Sequence, residues 1–231
     1  MRELAERPIL FSSEMILALL AGIKTQTRRI VKPVRRFEHH NILKVGMPHA
    51  LYPWTVWWHS PETDRVGCLQ ECPHGKPGDR LWVREALRIV DWDDTADSGC
   101  INPMGACVQY VADNQTRGWT HDEDPKWNVS MRWGKTKVGK TVPSIHMPRW
   151  ASRITLELTD VRVERLEDIS EVDARAEGVV LQRCTNPACG GRCAADSYRG
   201  AYAVLWNQLN GKTDPWGSGP HVWVETFRRV S

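Results

Sequence analysis

The run Gly22-Ile23-Lys24-Thr25-Gln26-Thr27-Arg28-Arg29 gathers a small set of reactive side chains: one amine, two hydroxyls and two guanidinia. It opens a segment with six basic residues and no acid from Lys24 to Arg36. Such groups hold anions or move protons, depending on what surrounds them. A second acid-free stretch, Pro125 to Leu156, carries seven Lys/Arg plus His146, with Trp127, Trp133 and Trp150 interleaved. There His146, Arg149 and Trp150 are candidates for contact with phosphate or base, as Arg28, Arg29 and Arg84 are elsewhere. Indoles stack on bases but also fill cores. A third constellation, Cys184-x4-Cys189-x3-Cys193, brings three thiols close in sequence. Zinc sites use four ligands at similar spacings. Cys68, Cys72 or His74 would have to supply the fourth, and free thiols in an insertion are the alternative.

The elements needed to position these groups fit a soluble globular chain. At 231 residues, 41% apolar and 26% charged, the sequence can bury a full core. No apolar run approaches the roughly 18 residues of a membrane span. The first residues lack the apolar core of a signal peptide. Seven cysteines, an odd number, fit a reducing compartment. The expectation is a cytoplasmic protein with no membrane partner, and nothing in the sequence indicates a protein partner. Net charge is only +3. Two basic tracts in so nearly neutral a chain point to a one-sided positive field suited to nucleic acid, or to two solvated basic loops.

Pro8 to Phe11 reads as a short buried strand. Ser12 or Ser13 caps a helix of about two and a half turns with Met15, Leu17, Leu19 and Leu20 apolar, and Gly22 ends it in a left-handed conformation. Thr25 to Val31 favours a strand. Leu81 and Val83 share one face of a strand over residues 80–86, with Trp82 and Arg84 on the other. Glu85 could be a second pocket acid, but it better suits an ion pair with Arg84 or Arg88. Residues 38–75 and 91–145 are loop-rich, although 108–112 reads as a strand. The cleanest alternation is Ile154, Leu156, Leu158, Val161, Val163. A helix capped by Asp168 or Ser170 runs to Gly178, a second covers Tyr198 to Leu209, and Val222 to Phe227 forms the last strand. The mixture lacks regular βαβ alternation, so the fold class is α+β with a mostly antiparallel, barrel-like sheet.

Four features together resemble the ASCH domain family, whose fold is a PUA-like β-barrel. They are the Gly22-to-Arg29 run, Pro77-Gly78-Asp79-Arg80-Leu81-Trp82-Val83-Arg84-Glu85, the helix Leu166-to-Gly178 with its Ala174-Arg175-Ala176-Glu177-Gly178 end, and the closing strand. The resemblance covers roughly residues 7–36, 76–90, 148–180 and 198–230 and is nearest to the longer bacterial and prophage members. It implies a single domain over 1–231, a mixed or antiparallel barrel with flanking helices and long loop insertions near 38–75, 91–145 and 181–196. It also implies chemistry on RNA components. Small members of the family are amidohydrolases that remove the acetyl group of N4-acetylcytidine with a lysine, a threonine and a glutamate. By motif position these are Lys24, Thr27 and Glu177.

On that resemblance Lys24 is the base, Thr27 the nucleophile and Glu177 the acid/base partner, with no cofactor required for catalysis and zinc entering only as a structural ion. Arg28 or Arg84 would steady negative charge. In a regular strand Lys24 and Thr27 point to opposite faces, so their cooperation needs a bend between Gly22 and Thr27. The alternative function is a PUA-like module that binds RNA or DNA without chemistry, and a weaker one is a ribonuclease.

Overall fold

The computed structural model describes residues 5–32, 44–45, 53–59, 66–92, 105–120, 138–181 and 196–231. In chain order the elements are β1 (Glu6–Leu10), α1 (Ser13–Leu20), β2 (Gln26–Ile30), β3 (Lys44–Val45), β4 (Thr55–His59), β5 (Val66–Glu71), β6 (Arg80–Arg84) and β7 (Leu87–Trp92). There follow β8 (Gly105–Tyr110), β9 (Thr116–Thr120), β10 (Thr141–Val142), β11 (Thr155–Arg165), α2 (Glu171–Ala176), α3 (Tyr198–Asn210) and β12 (His221–Arg229). The α+β class holds. The strands form sheets of five, four and three members, each with two edges, and none closes into a barrel among the described residues. No described helix is long and apolar enough to cross a membrane.

Contacts gather the chain into two compact units, each assembled from separated segments. The first takes residues 1–5, 21–80 and 157–229. Here β12 pairs antiparallel with β2, with Val224 opposite Arg28, Glu225 opposite Thr27 and Thr226 opposite Gln26. β11 beyond Glu157 lies on the other side of β12. α2 starts where Ser170 accepts a hydrogen bond from the Asp173 amide. α3 starts in the same way, with Ser197 accepting from Gly200. Such caps satisfy amide groups that the helix itself cannot pair. The helices bury Ala174, Tyr202 and Trp206 against Val222 and Val224 of β12.

The second unit takes residues 6–20, 81–156 and 230–231. β10, β7, β8 and β9 form its antiparallel sheet in that order. Its core packs Leu87, Ile89, Val108, Tyr110, Val142, Met147, Trp150 and Ala151 together. In β6 Leu81, Trp82 and Val83 are all buried, so both faces of this strand are covered. Glu85 pairs with Arg153, not with Arg84 or Arg88. The guanidinium donates to both its carboxylate oxygens at 2.8 and 2.9 Å, bonds Asp113 at 2.7 Å and lies 3.8 Å from the centre of the Tyr110 ring. β1 is mostly exposed, with Ile9 as its buried residue.

Candidate functional site

Lys24 is placed by the turn before it and the strand after it. Gly22 adopts φ +71°, which glycine enters without strain. The strand then begins only at Gln26. The amide of Thr25 donates to the carbonyl of Ala176 at 2.8 Å, and the Thr25 carbonyl accepts from Phe227 at 2.9 Å. These bonds fix the 23–25 segment between the end of α2 and β12. A bend between Gly22 and the start of β2 is therefore built into the backbone, and it brings Lys24 to Glu177 without joining Lys24 to Thr27 by a hydrogen bond among the described residues.

Within it the Lys24 ammonium donates three hydrogen bonds: to the Gln26 carbonyl at 2.9 Å, the Glu177 carbonyl at 2.8 Å and Glu177 Oε2 at 2.9 Å. The Glu177 carbonyl belongs to the C-cap of α2, where helix carbonyls lack partners inside the helix. Lys24 satisfies that carbonyl and the side chain together. This cation, with Arg28, accounts for an acid at the helix end where the dipole disfavours one. Lys24 is 2% exposed and Glu177 3%. Burial lowers the proton affinity of the Lys24 amine below its ordinary value of 10.5; Glu177 works in the opposite direction, and Arg29 and Arg28 add to the lowering.

Arg28 completes the cluster. Its NH1 group donates to Glu177 Oε1 at 3.1 Å and to Gln26 Oε1 at 2.8 Å. Nε and NH2 both bond Glu164 Oε1, and NH2 lies 3.6 Å from Asp173 Oδ2. Its ring neighbour is Tyr202, whose centroid is 6.0 Å from the guanidinium carbon. Burial and the Glu177 carboxylate push the Tyr202 phenol well above its usual range. Burial opposes the charge on Arg28, and Glu177 and Glu164 outweigh it, so the guanidinium stays firmly protonated. With no solvent-exposed side-chain surface, Arg28 acts as an internal brace rather than a surface phosphate contact.

Thr27 is 2% exposed and stands on the other face of β2 from Gln26 and Arg28. Its hydroxyl makes no hydrogen bond to Lys24 or Glu177 among the described residues. Directly across the ladder is Glu225, fully buried. On that face the turn after β5 brings in Cys72 and His74: His74 Nδ1 lies 2.5 Å from Glu225 Oε1, and Cys72 Sγ 3.6 Å from the same atom. Arg29 shares the Thr27 side of the strand.

The remaining candidates belong to the second unit. Arg84 donates to the Ile145 carbonyl at 3.2 Å and stacks 4.6 Å over the Trp82 ring. Arg149, also near that ring, pairs with Glu6 at 3.0 Å. His146 is exposed on a short 3-10 turn, Ser144–His146. Trp150, 8% exposed, sits in the core rather than on a stacking surface. Cys184, Cys189 and Cys193 lie outside the described residues, as do Trp127 and Trp133.

Sequence reasoning missed Gln26, Glu164, Asp173 and Tyr202 around Glu177, and Glu225 on the far face. Glu225 carried a signal: it is an acid inside Val222-Trp223-Val224-Glu225-Thr226-Phe227, where all its companions but Thr226 are apolar. In comparisons with known proteins the chain matches no family model, and no curated protein and no solved structure matches it.

Proposed function

We propose that the protein is an amidohydrolase that deacylates an N4-acylated cytidine or a related modified nucleoside, on a PUA-like scaffold in the cytoplasm. The observation that supports this most is the Lys24–Glu177 pair: a buried amine of lowered proton affinity held 2.9 Å from a buried carboxylate. Perturbed, buried ionisable pairs concentrate at catalytic sites. Transfer of the shared proton from Nζ to Glu177 Oε2 leaves a neutral amine and a carboxylic acid. The amine then takes a proton from a water whose oxygen attacks the acyl carbon, and Glu177 returns its proton to the departing N4 nitrogen, giving the carboxylic acid and cytidine. Thr27, on the opposite face of β2, takes no part in this step. Burial of Lys24 and Glu177 favours a small acyl group such as acetyl.

Purified protein incubated with N4-acetylcytidine should release cytidine and acetate, measured by chromatography. Lys24→Ala should slow the reaction on the order of 10²–10⁴-fold, the usual worth of a positioned base. Absence of cytidine with any N4-acylated analogue would sink this reading. A binding module would instead show no turnover and an RNA affinity falling steeply with salt.

A further inference from the structure

We infer that Cys72, His74 and Glu225 form a binding site for a thiophilic divalent cation of the zinc class. Their ligand atoms, Sγ, Nδ1 and a carboxylate oxygen, all lie within 4.8 Å of one another. The site is separate from the Lys24–Glu177 cluster, being on the other face of the β2–β12 pair.

The local sequence builds it. Cys72-Pro73-His74-Gly75 is a tight turn in which the Gly75 amide donates to the Cys72 carbonyl at 3.1 Å, with Gly75 at φ +114°. The Cys72 amide is tied to the Trp54 carbonyl at 2.8 Å. Without a cation, burial and then Glu225 hold this thiol strongly protonated.

Glu225 supplies the independent observation. It is 0% exposed, and its Oε2 has no hydrogen-bond partner among the described residues. A buried carboxylate oxygen left unpaired is costly and rare in a finished fold. A cation removes that cost. Binding a dication displaces the Cys72 proton to solvent and places the His74 proton on Nε2, so that Nδ1 offers its lone pair. One thiolate and one carboxylate then neutralise the two positive charges, and the neutral centre suits a buried position. Ligand atoms around tetrahedral zinc stand about 3.3–3.8 Å apart. The 3.6 Å Sγ–Oε1 separation already meets this, and the His74–Glu225 pair needs to open by less than about 1 Å. His74 is the ligand that reaches solvent, with 22% of its side chain exposed, and offers the entry side. Sulfur favours zinc or cobalt over magnesium or calcium.

The test uses the full chain, stripped with a chelator and titrated with Co(II), whose thiolate charge-transfer absorption reports a Cys ligand directly. A saturable band that Zn(II) abolishes is expected, kept in C184S/C189S/C193S and lost in Cys72→Ser. His74→Ala, at a half-exposed turn, should weaken Co(II) at least about tenfold with unchanged circular dichroism, and Glu225→Gln should do the same. No band in the wild type overturns the site. So does a band that survives Cys72→Ser, ignores His74→Ala, or disappears in the triple variant. If Cys72→Ser does not fold, the His74→Ala titration decides alone.

Discussion

Lys24 turns a sequence full of cations into a pH-sensitive one. Its folded-state proton affinity lies below 10.5 because burial penalises the charge. Between the lowered value and about 10.5 the unfolded chain binds that proton and the native chain does not, so stability rises with pH across the window. Below the lowered value this contribution is flat. Urea midpoints of wild type and Lys24→Met, compared from neutral pH to about pH 10, should therefore diverge in favour of the wild type as pH climbs; parallel curves would contradict it. The residue scale was only half legible in the sequence. Lys24 and Glu177 were identifiable through the motifs that flank them, and they do meet. Arg28 looked like a phosphate contact because its charge is visible in sequence and its partners are not: Glu164 and Glu177 lie 136 and 149 residues away. The Cys72–His74–Glu225 group was hidden for the same reason, with 151 residues between His74 and Glu225.

At the scale of elements, the bend at Gly22 sets the site. A Cβ at Gly22 meets nothing within 4 Å, so the cost of Gly22→Ala is conformational alone. At φ +71° an alanine is strained by about 1–2 kcal/mol. Thermal unfolding should drop accordingly, and any deacylase activity should fall further than stability because Lys24 shifts against Glu177. Gly22→Asn, which tolerates the left-handed region, should lose less of both. Elements with a clean period were legible: the helix expected over 198–209 is Tyr198–Asn210, the strand expected over 222–227 is His221–Arg229, and Ser170 caps α2. β4, β5 and β9 were not. Val66-Gly67-Cys68-Leu69-Gln70-Glu71 and Thr116-Arg117-Gly118-Trp119-Thr120 show no alternation and each contains a glycine, so cross-strand pairing rather than local preference makes them strands.

For the whole molecule, the interleaving of segments means that no contiguous piece shorter than residues 1–229 contains the first unit. A fragment of residues 1–156 keeps β2 and lacks α2, α3 and β12. Trypsin should cut it rapidly after Lys24 and Arg28, which the intact chain buries, and mass spectrometry of the first products reads this directly. Equal resistance in fragment and full chain would mean that β2 is protected without its partner. The α+β class followed from the sequence because it depends on the mixture of periods. Sheet closure depends on which edges meet, and local pattern does not encode that. The β2–β12 ladder has one more consequence. Along these strands the two faces carry different charged groups: Gln26 and Arg28 with Thr226 on one, Thr27 with Glu225 on the other. A slip of β12 by one residue would turn Glu225 away from His74, and a slip of β2 would turn Arg28 away from Glu164 and Glu177, so either one buries unmatched charge. The pairing thus carries its own error check: the charges that stabilise the correct alignment make its nearest misalignment prohibitive, and they do so before any substrate or ion is present.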